Sequence, residues 1–333
     1  MHLSLVWKVL ISSYLITILN ICFSQKDSSS KIEDFRNKLV LYSDLGYTSA
    51  PFNISYPFNP EIDQIFYKNN FKTFLGLGIS YKWFSLRIGF PILSNYRSIE
   101  KYGNTRQFNF GYDFSIKKIY SDFEFKYLEG YSIQKANRWD SSKNPNDIQS
   151  GLSSFNFALN SWYFHDKNFK MSALLGRRAH YKEEVKTWYL KGTVNLFGLD
   201  NKTKGLIPVE LQNSSNSKTT TTSVVSFDFG ILPGYAYVNR IKNWQFAGWF
   251  GFGPVIQSKF YNYSGNTRGI LGLAPRYDIR IMGGYSKPEY FIFLVTDFDN
   301  KSIRFSDLVF RQYFYSIKIV GGYRISSGNK KEN

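Results

Sequence analysis

From Phe71 to Ile92 the chain reads FKTFLGLGISYKWFSLRIGFPI, and its apolar residues keep a strict parity. Phe71, Leu75, Leu77, Ile79 and Tyr81 fall on odd positions, and Phe84, Leu86, Ile88 and Phe90 on even ones. Side chains of a strand alternate between its two faces, so each run has one apolar face. The parity changes across Lys82-Trp83. A two-residue hairpin loop has this effect, because the residues flanking it pair and point to the same face. The stretch predicts a β-hairpin whose second face carries Lys72, Gly76, Gly78, Ser80, Arg87 and Gly89. Lys-Trp is not the Asn-Gly that primed turns favour, so periodicity rather than turn chemistry supports it.

The pattern recurs along the chain. Leu39 to Thr48 predicts a first strand, and Ser49 to Asn70, with Pro51, Pro57 and Pro60, a long connection. Gln107 to Tyr120 sets Phe108, Phe110, Tyr112 and Phe114 against Gln107, Asn109, Gly111 and Asp113. After Lys117-Lys118 the register shifts, with Phe123, Phe125 and Tyr127 opposite Asp122, Glu124 and Lys126. Further strands are predicted at 155–163, 169–175, 190–197, 225–237, 244–259, 276–285, 290–298 and 313–325. Short links fall at Lys82, Lys117, Asp166, Ile241 and Lys287; longer loops fall near 49–70, 94–106, 129–150, 177–187, 260–272 and 300–309. Short turns at one end and long loops at the other are the signature of a transmembrane barrel. An even strand count is required, and pairing 190–197 with 205–212 gives fourteen; twelve is the alternative. The expected fold is therefore all-β, a single antiparallel up-and-down transmembrane β-barrel.

Alternation alone does not separate this from a soluble, secreted β-sandwich, whose strands share the period. Composition shifts the balance. Aromatic residues make up 19% of the chain, and they crowd near predicted strand ends (Tyr81, Trp83 and Phe84; Trp162 and Tyr163; Trp188 and Tyr189), where an interfacial girdle would sit. Hydrophobic residues reach 43% yet mean hydropathy is negative, so they are interleaved rather than blocked. Only the N-terminus approaches a membrane-spanning apolar run.

Lys8, the apolar stretch Val9 to Phe23, and Cys22 and Ser24 before Gln25 read as a cleaved signal peptide over 1–24. An uncleaved anchor is the alternative, and a lipoprotein site at Cys22 is disfavoured by the bulky Ile21. A flexible lead-in (25–37), the barrel (38–325) and a polar tail (326–333) complete the expected organisation. Cys22 is the only cysteine, so no disulfide supports the barrel. The formal charge of +17 suits an anionic partner: nucleic acid, lipopolysaccharide or small anions in a pore. Export and the absence of a recognition module argue against nucleic acid. Lysines that merely solvate loops are the plainer account of the charge.

KLVLY at 38–42, GISYKWFSLRIGF at 78–90, LIP at 206–208, GYAY at 234–237 and GGYR at 321–324 resemble segments of an uncharacterised outer-membrane-barrel family of Bacteroidetes-type bacteria, a domain of unknown function (family 4421). Their order spans nearly the whole mature chain. The resemblance implies a barrel, an outer-membrane address and contact with the barrel-assembly machinery, and it brings no activity. One departure is the C-terminus: where such barrels commonly end on an aromatic residue, Ile325 follows Arg324 and a polar tail succeeds it.

Candidate chemistry is sparse. His165 and His180 are the only histidines after the leader, His180 being expected in an outer loop among Arg177, Arg178, Glu183 and Glu184. The two are expected at opposite ends of a strand, which disfavours a shared metal site. Gly76-Leu77-Gly78 and Gly251-Phe252-Gly253 open no helix, so no phosphate loop is expected. No catalytic residue, cofactor or metal ligand is assigned. Lumen-facing residues are expected to be Lys72, Arg87, Asp122, Glu124, Lys126, Arg280 and Lys318. Two barrel functions follow: a passive channel biased toward anions, and a plugged structural or loop-display barrel. Expected partners are outer-membrane lipid, lipopolysaccharide and the assembly machinery, with the solute unidentified.

Overall fold

The computed structural model describes residues 31–326, apart from 93–95, 117, 118, 167, 202, 214 and 264. The leader, the tail beyond Ser326 and the Lys117-Lys118 turn lie outside the described residues. The strands are β1 (Ile32–Asp34), β2 (Lys38–Ser49), β3 (Phe52–Asn59), β4 (Ile62–Asn69), β5 (Thr73–Tyr81), β6 (Phe84–Pro91), β7 (Arg106–Ile116), β8 (Ile119–Gln134), β9 (Asn146–Phe164), β10 (Ala179–Tyr181), β11 (Val185–Asp200), β12 (Ser223–Ile241), β13 (Trp244–Tyr263), β14 (Asn266–Ser286), β15 (Tyr290–Phe305) and β16 (Leu308–Ser326).

Fourteen strands form one antiparallel sheet that closes on itself. Leaving out the β3–β4 hairpin, the other twelve pair in chain order from β2 to β16, and β16 returns to β2 from Tyr315↔Ser49 to Ser326↔Lys38. Both strand counts read from the sequence thus have a place: twelve strands make the full ring, and a hairpin brings the sheet to fourteen. That hairpin lies in the 49–70 stretch expected to be a loop. Its β3 continues the sheet from β16 and its β4 from β8, so it bridges the wall above the shorter strands β2, β5, β6 and β7. The prolines misled. Pro57 falls at the irregularity between Ser55 and Asn59, where the β3–β4 register shifts and a missing donor costs no ladder bond.

Three other expectations are corrected. Residues 205–212 form no strand; Val209–Leu211 is a single 3₁₀ turn. Loops expected at 260–272 and 300–309 are continuous strand with tight tips, because Tyr263 pairs with Asn266 and Phe305 with Leu308. The alternation over 169–175 belongs to one helical turn, Met171–Leu174, since a short apolar run has no period long enough to separate helix from strand. Residues 165–184 therefore form one segment at the end of the barrel where the tight turns lie, and it folds back into the barrel mouth. β10 within it pairs with β1, which arises from the stretch expected to be a flexible lead-in.

The expected hairpin is present, with Tyr81↔Phe84 as its last pair and Lys82 at φ +47°. A left-handed first residue is what a primed turn requires, and Lys242 repeats it at φ +54° between β12 and β13. Burial is inverted relative to a soluble sandwich: Leu77, Phe229, Phe250, Ile281 and Leu294 are exposed on the outside, while Asp44, Lys191, Asp228 and Arg276 are buried inside. Exposed Trp83, Trp188, Trp244 and Tyr323 ring the turn end. The stacked rings Tyr277–Phe298 (5.8 Å) and Phe298–Tyr313 (6.2 Å) mark the other limit of the apolar belt.

Ile281 lies midway between Tyr285 and Tyr277 and is 64% exposed. An Ile281→Arg substitution is expected to cost about 2–4 kcal/mol in unfolding from lipid vesicles. A near-neutral effect, as on a water-facing surface, would contradict a lipid-facing wall.

Candidate functional site

The barrel interior has three levels. At the turn end, residues 165–184 form a strap that fills the mouth. Phe169, Met171, Leu174 and Tyr181 are buried against Phe164, Tyr189, Ala236 and Phe291 of the wall. At the loop end a second apolar cluster closes the barrel. Phe52, Ile54, Ile65 and Tyr67 of the hairpin pack with Leu206 and Ile207 and with Phe197, Phe305 and Phe310 of the wall. Tyr67 Oη donates to Leu206 O at 2.5 Å, tying that loop to the hairpin.

Between the two clusters lie cavities of about 110 and 150 Å³, both lined by Arg87, Asp122, Glu124, Arg280 and Lys318. Their cations are largely paired. Arg87 Nε and Nη2 reach Asp44 at 2.5 and 2.6 Å, Lys126 Nζ reaches Glu124 at 2.8 Å, and Lys301 Nζ reaches Asp299 at 2.6 Å. Lys318 lies 3.3 Å from Asp297, which also accepts from Arg280. Lys191 pairs with Asp278 and Arg276 with Asp228. Asp122 accepts from Asn160 Nδ2 at 2.8 Å. Period two explains the gathering: each strand sends alternate residues inward, so opposite charges meet two apart along one strand (Glu124 and Lys126), on paired strands (Arg280 and Asp297) and across the lumen (Lys191 and Asp278).

Of the residues expected to face the lumen, Arg87, Asp122, Glu124, Lys126, Arg280 and Lys318 line the first cavity. Lys72 stands apart in the connection before β5, where its Nζ donates to Asn104 Oδ1 at 2.8 Å. Sequence reasoning missed the acidic partners Asp44, Asp278, Asp297 and Asp299, although each sits in phase with the inward face of its strand.

The strap is held by polar side chains as well as by packing. Arg324, in the GGYR segment, donates to Gly176 O at 2.5 Å and Arg177 O at 2.8 Å. Gln245 Nε2 bonds Ala173 O and Leu174 O at 3.1 and 2.9 Å, capping the helical turn. Arg177 and Arg178 share Asp113 at 2.9 and 2.7 Å, and Arg177 also reaches Tyr42 Oη at 2.7 Å. Tyr42 and Arg324 belong to segments that resemble the barrel family, so those segments include parts of the clasp.

His180 is here, at the turn end, and not near the loop-end rim as expected, because the strap stays on one side. Its Nε2 lies 2.8 Å from Glu33 Oε2 and its Nδ1 3.4 Å from Ser286 Oγ. A serine, a histidine and a carboxylate in a row suggest a hydrolase relay. However, Ser286 is 0% exposed and its oxygen already accepts from Arg324 Nη2 at 3.1 Å. The row joins β1, the strap and β14, and reads as a fastening. Among the described residues no group of three or more His, Cys, Asp or Glu side chains is placed to hold a metal ion.

Burial, reinforced by Arg240 and Arg324, pushes His180 down to about 4 against the pull of Glu33. Once released, the ring titrates near its usual value of about 6.5, so the released state binds a proton more readily. Its contribution to holding the strap is complete above about pH 6.5 and is lost as pH falls from there through 4. Hydrogen exchange at residues 171–181, corrected for intrinsic rates, is expected to quicken across that window, and His180→Gln to flatten the response. Arg324→Met strands the carbonyls of Gly176 and Arg177, at roughly 1–3 kcal/mol each. Proteolysis within the strap should become readily detectable in that variant; unchanged resistance would refute the clasp.

A family model described as "Domain of unknown function (DUF4421)" matches residues 25–325. No curated protein matches the sequence. Among solved structures, the outer membrane protease OmpT from Escherichia coli is 9% identical, with 90% of this chain and 100% of that chain covered and a TM-score of 0.41. The translocator domain of autotransporter NalP from Neisseria meningitidis is 10% identical, with 86% and 88% covered and a TM-score of 0.42. The Pseudomonas putida toluene transporter TodX is 7% identical, with 87% and 89% covered and a TM-score of 0.30. Likenesses at this level leave the chemistry of this chain open.

Proposed function

The chain belongs to the DUF4421 family, a domain of unknown function, and we propose that it is an outer-membrane β-barrel sealed at both ends, a scaffold that displays its loop end. The observation supporting this reading is the filling of the lumen. Buried apolar clusters occupy both mouths, and the charges between them are mostly engaged with one another. A water-filled pore needs a polar path through both mouths, whereas here Phe164, Phe291 and Phe293 line one and Phe52, Phe305 and Phe310 the other.

The leader at 1–24 would deliver the chain for export, and the barrel-assembly machinery would insert it. Lipid, with lipopolysaccharide in the outer leaflet, would cover the belt of Leu77, Phe229, Phe250 and Ile281. This reading assigns the chain no catalytic step.

The cavities favour one further reading, a conduit that opens when the strap withdraws. Arg87, Lys126, Lys191, Arg280 and Lys318 would then bias it toward anions, to the extent that their acidic partners leave positive charge in excess. Planar-bilayer recording separates the two. The sealed barrel predicts no steady conductance from the wild-type protein or from Arg324→Met, since the loop-end cluster still closes the second mouth; the conduit predicts a conductance in Arg324→Met. Steady wild-type conductance would overturn the sealed reading, and cation preference in any open state would remove the anion bias.

A further inference from the structure

Among the described residues, β14 has a partner on only one side over its outer half. It pairs with β13 along its whole length, from Trp244↔Tyr285 to Tyr263↔Asn266. With β15 it pairs only from Asp278↔Asp299 to Ser286↔Phe291. Beyond Tyr277 and Phe298 the two strands part. Carbonyls of β15 are met there by side chains: Gln257 Nε2 bonds Ser302 O at 2.8 Å and Lys259 Nζ bonds Arg304 O at 2.6 Å. These side chains come from β13, two strands away, so they replace a ladder that β14 does not form.

Tyr277 N–H donates toward β15, to Asn300 Oδ1 at 2.9 Å. Backbone groups alternate sides with period two, so the N–H and C=O of Thr267, Gly269, Leu271 and Leu273 face the gap as well. Pro275 falls in the same phase, where a missing N–H costs no bond to β13, as expected of an edge proline. Leu271 and Leu273 are each 71% exposed, and Ile270, on the other face, is exposed too.

The geometry points to strand addition: residues 267–275 of β14 are a docking edge for an extended segment of a partner protein, apolar and acidic in alternation. An open ladder edge offers alternating donors and acceptors, which another extended backbone matches along its length. Exposed leucines favour apolar residues beside them. Arg268 and Arg304 are exposed near the gap, and Lys259 Nζ lies close over Gly272, so acidic residues complete the match. A second copy in the same membrane fits poorly. A two-fold axis along the membrane normal would cross the two edges at twice the strand tilt, roughly 70–90° for tilts of about 35–45°. The inference goes beyond the sealed-barrel reading and stands whether or not the lumen conducts.

The test uses the full-length protein in lipid nanodiscs and a fluorescein-labelled octapeptide alternating valine and glutamate, with a valine–lysine octapeptide for comparison. The glutamate peptide is expected to bind and to slow exchange at the amides of 267–273. Leu271→Pro removes the central donor facing the gap while sparing the β13 ladder, and should weaken binding about tenfold or more. Leu271→Ala keeps that donor and should stay within about threefold of wild type. Heat-modifiable gel migration checks that both variants fold; should Leu271→Pro not fold, the exchange result on the wild type decides. Equal binding to wild type and Leu271→Pro, or equal binding of the lysine peptide, would overturn the proposal. So would edge amides already protected in the free protein, or an interchain disulfide formed by Leu271→Cys in membranes, which would assign the edge to lipid or to a second copy.

Discussion

A wall in contact with lipid has no water to satisfy its backbone, so every N–H and C=O must find its partner within the sheet. The closing pair β16–β2 meets that condition for this chain, and the rest of the structure follows from it. Once the ring is closed, period two sends one residue inward for each one outward. Lipid is compatible with Leu, Ile and Phe on the outside, and the interior must then accommodate whatever the inward positions contain. In this chain they contain charges at mid-height and aromatic or aliphatic side chains toward both ends.

That division accounts for the filling of the lumen. Charges away from bulk water need partners, and the wall supplies them between strands, as with Arg87 and Asp44, and along one strand, as with Lys126 and Glu124 or Lys301 and Asp299. Aromatic residues at the mouths are instead covered by the chain itself, at one end by the strap and at the other by the β3–β4 hairpin with the 205–212 loop. Each cover is then fixed by side-chain hydrogen bonds, from Arg324 and Gln245 of the wall to the strap and from Tyr67 of the hairpin to the 205–212 loop. Among the described residues the outer half of β14, past the aromatic row of Tyr277 and Phe298, forms no ladder with β15.

Much of this was legible in the sequence. Parity alone placed the 71–92 hairpin and the inward row Asp122, Glu124 and Lys126; the even strand count came from the barrel rule, and the strand at 205–212 invoked to reach fourteen is instead a 3₁₀ turn. What escaped depended on contacts between distant segments. Phe169 to Leu175 alternates like a strand, yet Met171–Leu174 turns helically because the barrel mouth offers a cavity to fill rather than an edge to pair with. Pro51, Pro57 and Pro60 read as loop punctuation, while the real determinant was the gap above the short strands β2, β5, β6 and β7. His180 reads as an outer-loop residue because 169–175 alternates like a strand that would cross the barrel, whereas the strap turns back within the same mouth. The acidic partners of the lumen cations were visible in phase but could not be matched to them without the register.

A sealed barrel requires the charged chamber to be closed to both sides of the membrane. Ser316 lines it and is buried, with its Oγ 3.0 Å from Asp297 Oδ2. In a chain whose native Cys22 is replaced, Ser316→Cys puts a thiol of nearly the same size at that point. A membrane-impermeant thiol reagent applied to each side of reconstituted vesicles reads its accessibility directly. A sealed barrel gives no labelling from either side until the protein is unfolded. Rapid labelling of the folded barrel from either side would contradict the seal.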